Sequence, residues 1–125
     1  MPTETLIGRD FVSMLDYGAE DLTRMLEVAG EVKANPDRYA TALSGKTLFM
    51  YFEKPSLRTR VTFEAGMTQL GGHAIYYTAA DGRIGVRESV EDVARNLERW
   101  VDGAMCRTFS HELVRDLARL AQIPV

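Results

Sequence analysis

Residues 52–60 run Phe-Glu-Lys-Pro-Ser-Leu-Arg-Thr-Arg, which sets hydroxyls and arginines where an apolar stretch gives way to a helical one. Pro55 cannot continue the interior of a strand, and Ser56 is of the type that caps a helix N-terminus. The backbone N–H groups of Leu57, Arg58 and Thr59 are then expected to leave the first helical turn unpaired. Such a turn suits an anion. The helix dipole places roughly half a positive charge there, and Arg58 and Thr59 add a full charge and a hydroxyl donor. Phosphate fits this combination. The plainer alternative is that Ser56 merely caps the helix and the arginines are solvated. Arg60 lies two residues past Arg58, about 200° around the helix, so it cannot aim at the same oxygen and is read as a structural ion-pair partner.

Arg107 follows a second short apolar run and precedes Thr108, Ser110, His111 and Glu112. Cys106 beside it is read as a small apolar filler on a core strand rather than a reactive thiol. His73 is expected to open a strand with its ring satisfied, and His111 to sit at a helix N-terminus, where a cation is disfavoured. Two isolated histidines do not make a metal site, so no metal is expected. Trp100 is expected to be packed at the end of its helix. Glu53 and Lys54 either pair with each other at the surface or orient the loop, and the sequence leaves both open.

The elements that would position these groups follow from periodicity. Leu22, Met25, Leu26, Ala29 and Val32 recur at helical spacing before Asn35-Pro36, which predicts a helix over about 19–34 covering one face of the domain. Thr47–Phe52 is an unbroken apolar run, as in a strand buried on both sides. A helix over about 57–70 is expected to carry Phe63, Met67 and Leu70 on one stripe, followed by a strand at 73–78. Ser89 and Asp92 have the spacing of a capping box, opening a helix to about Trp100. A third strand is expected at 103–106, a helix at 110–121 and the start of a fourth strand at 123–125. This alternation predicts an α/β three-layer sandwich with a four-stranded parallel sheet and right-handed crossovers. With the common order 2-1-3-4, the ligand crevice lies beyond the carboxyl ends of strands one and three. Ser56–Thr59 and Arg107 both open into it.

At 125 residues the chain is one domain, close to the lower end for an enzyme that holds two substrates. A net charge of −3 argues against nucleic acid as a partner, and the arginines are local tools. One cysteine excludes an internal disulfide. No segment approaches the roughly 18 apolar residues of a membrane span. Met1–Asp10 is polar and acidic and shows no export signal, so a cytoplasmic protein is expected.

The Phe52–Arg60 segment closely resembles the phosphate-gripping motif of the carbamoyltransferases, whose ornithine branch writes F-E-K-P-S-x-R-T-R before an amphipathic helix and a Leu-Gly-Gly-His turn. Here the continuation is Val61–Leu70 and then Gly71-Gly72-His73. Met105-Cys106-Arg107-Thr108-Phe109-Ser110-His111-Glu112 is similar to the family's strand-to-helix turn, and Gly85-Val86-Arg87-Glu88-Ser89 resembles the end of its mobile loop. The resemblance implies that residues 1–125 form a carbamoyl-phosphate-binding domain. By the same resemblance Ser56, the Leu57 N–H, Arg58 and Thr59 hold phosphate, and Arg107 with the Thr59 hydroxyl faces the carbonyl oxygen. Arg58, Thr59 and Arg107 are thus the implied catalytic set. At the interval where the family's loop sends glutamine, histidine or lysine into the neighbouring subunit's site, this chain has Arg83, an implied phosphate contact in trans.

The resemblance further implies ornithine as the amine acceptor, citrulline and phosphate as products, a place in arginine biosynthesis, a homotrimer, and neither cofactor nor metal. The family's amino-acid-binding domain, with its His-Pro-x-Gln segment and later cysteine motif, is expected to lie outside this chain. Alone, the chain is expected to bind carbamoyl phosphate or phosphate weakly and to turn over little. Two alternatives stay open: a domain acting with aspartate, putrescine or a modified ornithine, and a non-catalytic folding or anion-binding module.

Overall fold

The apolar run Thr47–Phe52 forms the central strand, β1, with Met50, Tyr51 and Phe52 essentially inaccessible. The computed structural model describes residues 6–125, so residues 1–5, half of the stretch read for an export signal, lie outside the described residues. In chain order the elements are α1 (Ala19–Ala34), β1 (Thr47–Phe52), α2 (Leu57–Gln69), β2 (His73–Thr78), α3 (Val90–Trp100), β3 (Gly103–Arg107) and α4 (His111–Leu120). The sheet is parallel with order β2-β1-β3, and its register pairs Phe52 with Thr78 on one side and with Arg107 on the other.

Alternation along β1 divides the core. Phe49 and Tyr51 face α3 and α4, packing with Ala94, Leu97, Ala104 and Leu117, while Tyr77 of β2 stacks on both rings. Phe52 points to the opposite face, where it meets Tyr76, and Arg60 of α2 lies over that ring at 3.7 Å. Helices therefore cover both faces of a sheet whose middle strand has no exposed side, which is why that strand reads as continuous apolar sequence.

The turn between α2 and β2 sets the register of β2. Gly71 has φ +86, and a Cβ there would stand 2.7 Å from the Ala40 carbonyl oxygen. At Gly72 a Cβ would stand 2.6 Å from Met67 Cε. The close approach lets Leu43 N–H donate to Leu70 O at 2.8 Å and His73 N–H donate to Lys46 O at 2.9 Å. Two glycines are what the space admits.

Several expectations are corrected. The sheet has three strands, not four, among the described residues. Ala104 N–H donates to Pro124 O, but Pro124 has no N–H to return and Val125 N–H donates to Asp10 Oδ1, so no ladder develops at 123–125. α1 does not cover the sheet. It has no buried residue and packs chiefly on the 3-10 turn Pro36–Tyr39, where Tyr39 Oη donates to Glu31 Oε2. Leu26 of its expected stripe is 75% exposed. On α2 only Met67 is buried, whereas Phe63 is exposed, as are Leu57 and Val61. Trp100 is 71% exposed and rims an open cleft with Phe49, Tyr77 and Leu97 instead of packing into the core.

Candidate functional site

The chain leaves β1 at Phe52 and re-forms as α2 at Leu57, with Ser56 as N-cap in extended conformation. Ser56 Oγ accepts from the Thr59 N–H at 3.4 Å and donates to Thr59 Oγ1 at 2.9 Å. Thr59 N–H is therefore capped, contrary to the expectation that three amides stay free. The N–H groups of Leu57 and Arg58 have no partner among the described residues. The two hydroxyls hold two protons and use one between them, so the pair turns one O–H outward at a time. Arg58 is exposed, and no hydrogen bond or ion pair engages it within the described residues. Arg60 is committed elsewhere: its Nε donates to Glu64 Oε2 at 2.8 Å, and this bond, first among the causes, raises its pKa.

Arg107 closes β3 directly opposite Phe52. The turn after β1 and the turn after β3 thus leave adjacent strand ends, at the point where the order reverses from β2 to β3 around β1. Arg107 Nε is buried and has no partner in the described structure. A buried guanidinium nitrogen without an acceptor is unusual, because its desolvation is uncompensated. Lys54 stands 5.2 Å over the Phe109 ring, and with Arg107 and His111 it lines an open cleft at this end of β3. Positive groups converge here from two turns, and among the described residues no carboxylate engages Arg58 or Arg107.

The carboxylate that is present belongs to Glu53, and it faces inward, 3% exposed. Its Oε2 accepts from Arg83 Nε at 3.1 Å and from Tyr51 Oη at 3.4 Å, and its Oε1 accepts from the Phe109 N–H at 3.1 Å. Arg83 sits in the β2–α3 loop, which is tied down by Tyr77 Oη donating to Gly82 O and by Ile84 N–H donating to Tyr51 Oη. Burial raises the Tyr51 pKa, opposed by the Ile84 contact. Burial likewise pushes the Cys106 thiol up to about 12, with the Glu53 charge as the second cause.

Residues 9–125 match the family described as the aspartate/ornithine carbamoyltransferase carbamoyl-P binding domain. The chain belongs to this family. An ornithine carbamoyltransferase of Anoxybacillus flavithermus is 52% identical over 98% of this chain and 40% of its own length. One of Deinococcus radiodurans is 50% identical over 96% of the chain and 39% of its own. Among solved structures, the ornithine carbamoyltransferase of Pyrococcus furiosus superposes with a TM-score of 0.92 at 45% identity, over 96% of this chain and 39% of that one. The chain thus spans about 40% of the length of the curated relatives it matches.

In this carbamoyltransferase-family domain the structure brings Ser56, Leu57, Arg58 and Thr59 together on one turn, with Arg107 at the adjoining strand end. It places Arg83 on Glu53 of its own chain. Cys106 is a protonated thiol facing the α3–α4 side with Phe49 and Tyr51, as its reading as an apolar filler has it. His73 begins β2 and His111 begins α4, both exposed. The choice left open for Glu53 and Lys54 is decided: they do not pair with each other, and Glu53 orients two loops. Sequence reasoning missed the weight of Glu53 because two of its three side-chain partners lie 30 and 56 residues away. The one local signal was an acidic residue directly after a buried apolar strand.

Proposed function

We propose that this chain is the carbamoyl-phosphate-binding half of a carbamoyltransferase that transfers the carbamoyl group to ornithine, giving citrulline and phosphate. The observation carrying the reading is Arg58, unpaired at the N-terminus of α2, one strand end away from the unpartnered Arg107. The relatives' names support ornithine as the amine, and a cytoplasmic place in arginine biosynthesis follows from the same reading.

In this mechanism the amine nitrogen attacks the carbonyl carbon of carbamoyl phosphate. A C–N bond forms, the bond from that carbon to the bridging phosphate oxygen breaks, and the amine gives up a proton. The free Leu57 and Arg58 amides, the Arg58 side chain and the outward hydroxyl of the Ser56–Thr59 pair hold the departing phosphate. Arg107, with Thr59 when its proton is the outward one, faces the oxygen on which negative charge develops. Each preorganised donor of this kind is worth about 3 kcal/mol of barrier. No cofactor or metal is needed, since the leaving group is stabilised by fixed charge. Assembly as a homotrimer brings Arg83 towards the phosphate of an adjacent subunit, once it leaves Glu53. The apolar side chains of Leu57 and Val61, one helical turn apart and exposed on α2, support self-association.

A titration with carbamoyl phosphate, and separately with phosphate, followed by NMR is expected to shift the amides of Leu57–Thr59 together with Arg107 and Thr108. Shifts confined to another face reject the site. The amine is tested on the full-length protein that carries this chain: carbamoyl transfer to aspartate or putrescine in place of ornithine rejects that part of the reading.

A further inference from the structure

Glu53 directly follows β1 and precedes the Ser56 cap by three residues, yet its carboxylate is 3% exposed. A carboxylate shielded this far from water persists only with donors on its oxygens, and Glu53 has them from three separate segments: Phe109, Arg83 and Tyr51. Its backbone adds a further tie, the Glu53 N–H donating to Arg107 O at 2.9 Å. Arg107 is thereby gripped on both sides. Strand pairing holds its own carbonyl, and the Glu53 side chain holds the amide two residues on.

This matters because the Arg107 side chain does not hold itself in place: its Nε is buried with no partner in the described structure. Its direction is left to the backbone, and the backbone beyond it turns sharply, with Thr108 Oγ1 donating to Ser110 O at 2.7 Å. We propose that Glu53 is a positioning residue, whose side-chain length fixes where the β3–α4 turn aims Arg107 relative to the Ser56–Thr59 turn. Tyr51, and Arg83 for as long as it stays on its own chain, orient the second carboxylate oxygen, so that the first stays on Phe109. The inference deepens the carbamoyl-phosphate reading and rests on it for the ligand alone.

Length and charge can be separated. Glu53→Gln keeps the reach and an acceptor for Phe109 but loses the charge that pairs with Arg83, whereas Glu53→Asp keeps the charge and loses the reach. With Glu53→Ala as the third variant, the measurements are hydrogen exchange at the Phe109 amide and carbamoyl phosphate affinity by NMR titration. Glu53→Gln is expected to keep Phe109 protected and affinity within about threefold, and the Asp and Ala variants to lose protection and bind at least about tenfold more weakly.

The opposite order, with Asp like wild type and Gln like Ala, means that the charge acts and length does not, and overturns the proposal. So does unchanged Phe109 exchange in the Asp or the Ala variant where it folds. If the Asp and Ala variants fail to fold, the Gln variant still decides, because an unprotected Phe109 amide there overturns the role. If the wild-type chain binds no carbamoyl phosphate at millimolar concentration, the functional reading falls, while Phe109 exchange and the Arg107 Nε–H resonance still accept or reject the positioning role.

Discussion

Arg58→Ala separates anion binding from folding, because Arg58 is exposed at the second position of α2 and has no partner in the described structure to lose. Alanine is a good helix former, and surface substitutions of this kind stay within about 0.5 kcal/mol of wild type. For a domain of this size that is a shift in Tm within about 3 °C. Binding is affected differently. A charge-assisted hydrogen bond to phosphate is worth about 1.5–3 kcal/mol, and the exposure of Arg58 favours the lower end, so the loss is about 1.5 kcal/mol or about tenfold in Kd. The assay is calorimetric titration with phosphate and with carbamoyl phosphate, beside thermal melts followed by circular dichroism. Arg60→Ala is the control, since it removes the same charge two residues on from a side chain already engaged with Glu64 and Tyr76. It is expected to lower Tm and leave Kd unchanged. Equal losses of affinity in both variants mean that net charge alone is being read, and refute a direct Arg58 contact. Stability loss without affinity loss in Arg58→Ala refutes the phosphate role of the whole turn.

Gly71→Ala is expected to destabilise by about 2–4 kcal/mol in chemical denaturation, since it places a Cβ at φ +86 and 2.7 Å from a backbone oxygen. Cys106 is expected to resist alkylation at pH 8 in the native chain and to react on unfolding. Because its pKa rises from 9.0 to about 12, its contribution to stability is intact below the unfolded value and falls as pH climbs through that window, when the unfolded chain ionises first; denaturant midpoints across this range check it. Light scattering coupled to size-exclusion chromatography is expected to give the mass of three chains, and a concentration-independent mass near 14.0 kDa removes the trans role of Arg83.

The nonapeptide at 52–60, the boundaries of β1 and β2, the span of α1 and the caps at Ser56 and Ser89 were legible in the sequence, because each depends on neighbours a few residues away. Proline, a capping hydroxyl and an unbroken apolar run act locally. Periodicity also predicted that α1 and α2 are amphipathic, but not which face finds a partner. Leu26 and Phe63 belong to regular stripes and are exposed, because what covers a stripe is another element whose position the local pattern does not contain. The fourth strand failed partly for the same reason: Ile123 and Val125 are strand-forming types, but Pro124 between them offers no N–H to a ladder, and Asp10, far away in the chain, takes the Val125 amide. Glu53 is the clearest case. By itself the sequence determined that β1 gives way to a helix capped by Ser56 with Arg58 in its first turn. Only the tertiary structure decided that Glu53 turns inward to Phe109 and Arg83 rather than outward to Lys54, because burying a carboxylate requires donors, and these donors converge only once β1, β3 and the β2–α3 loop are side by side.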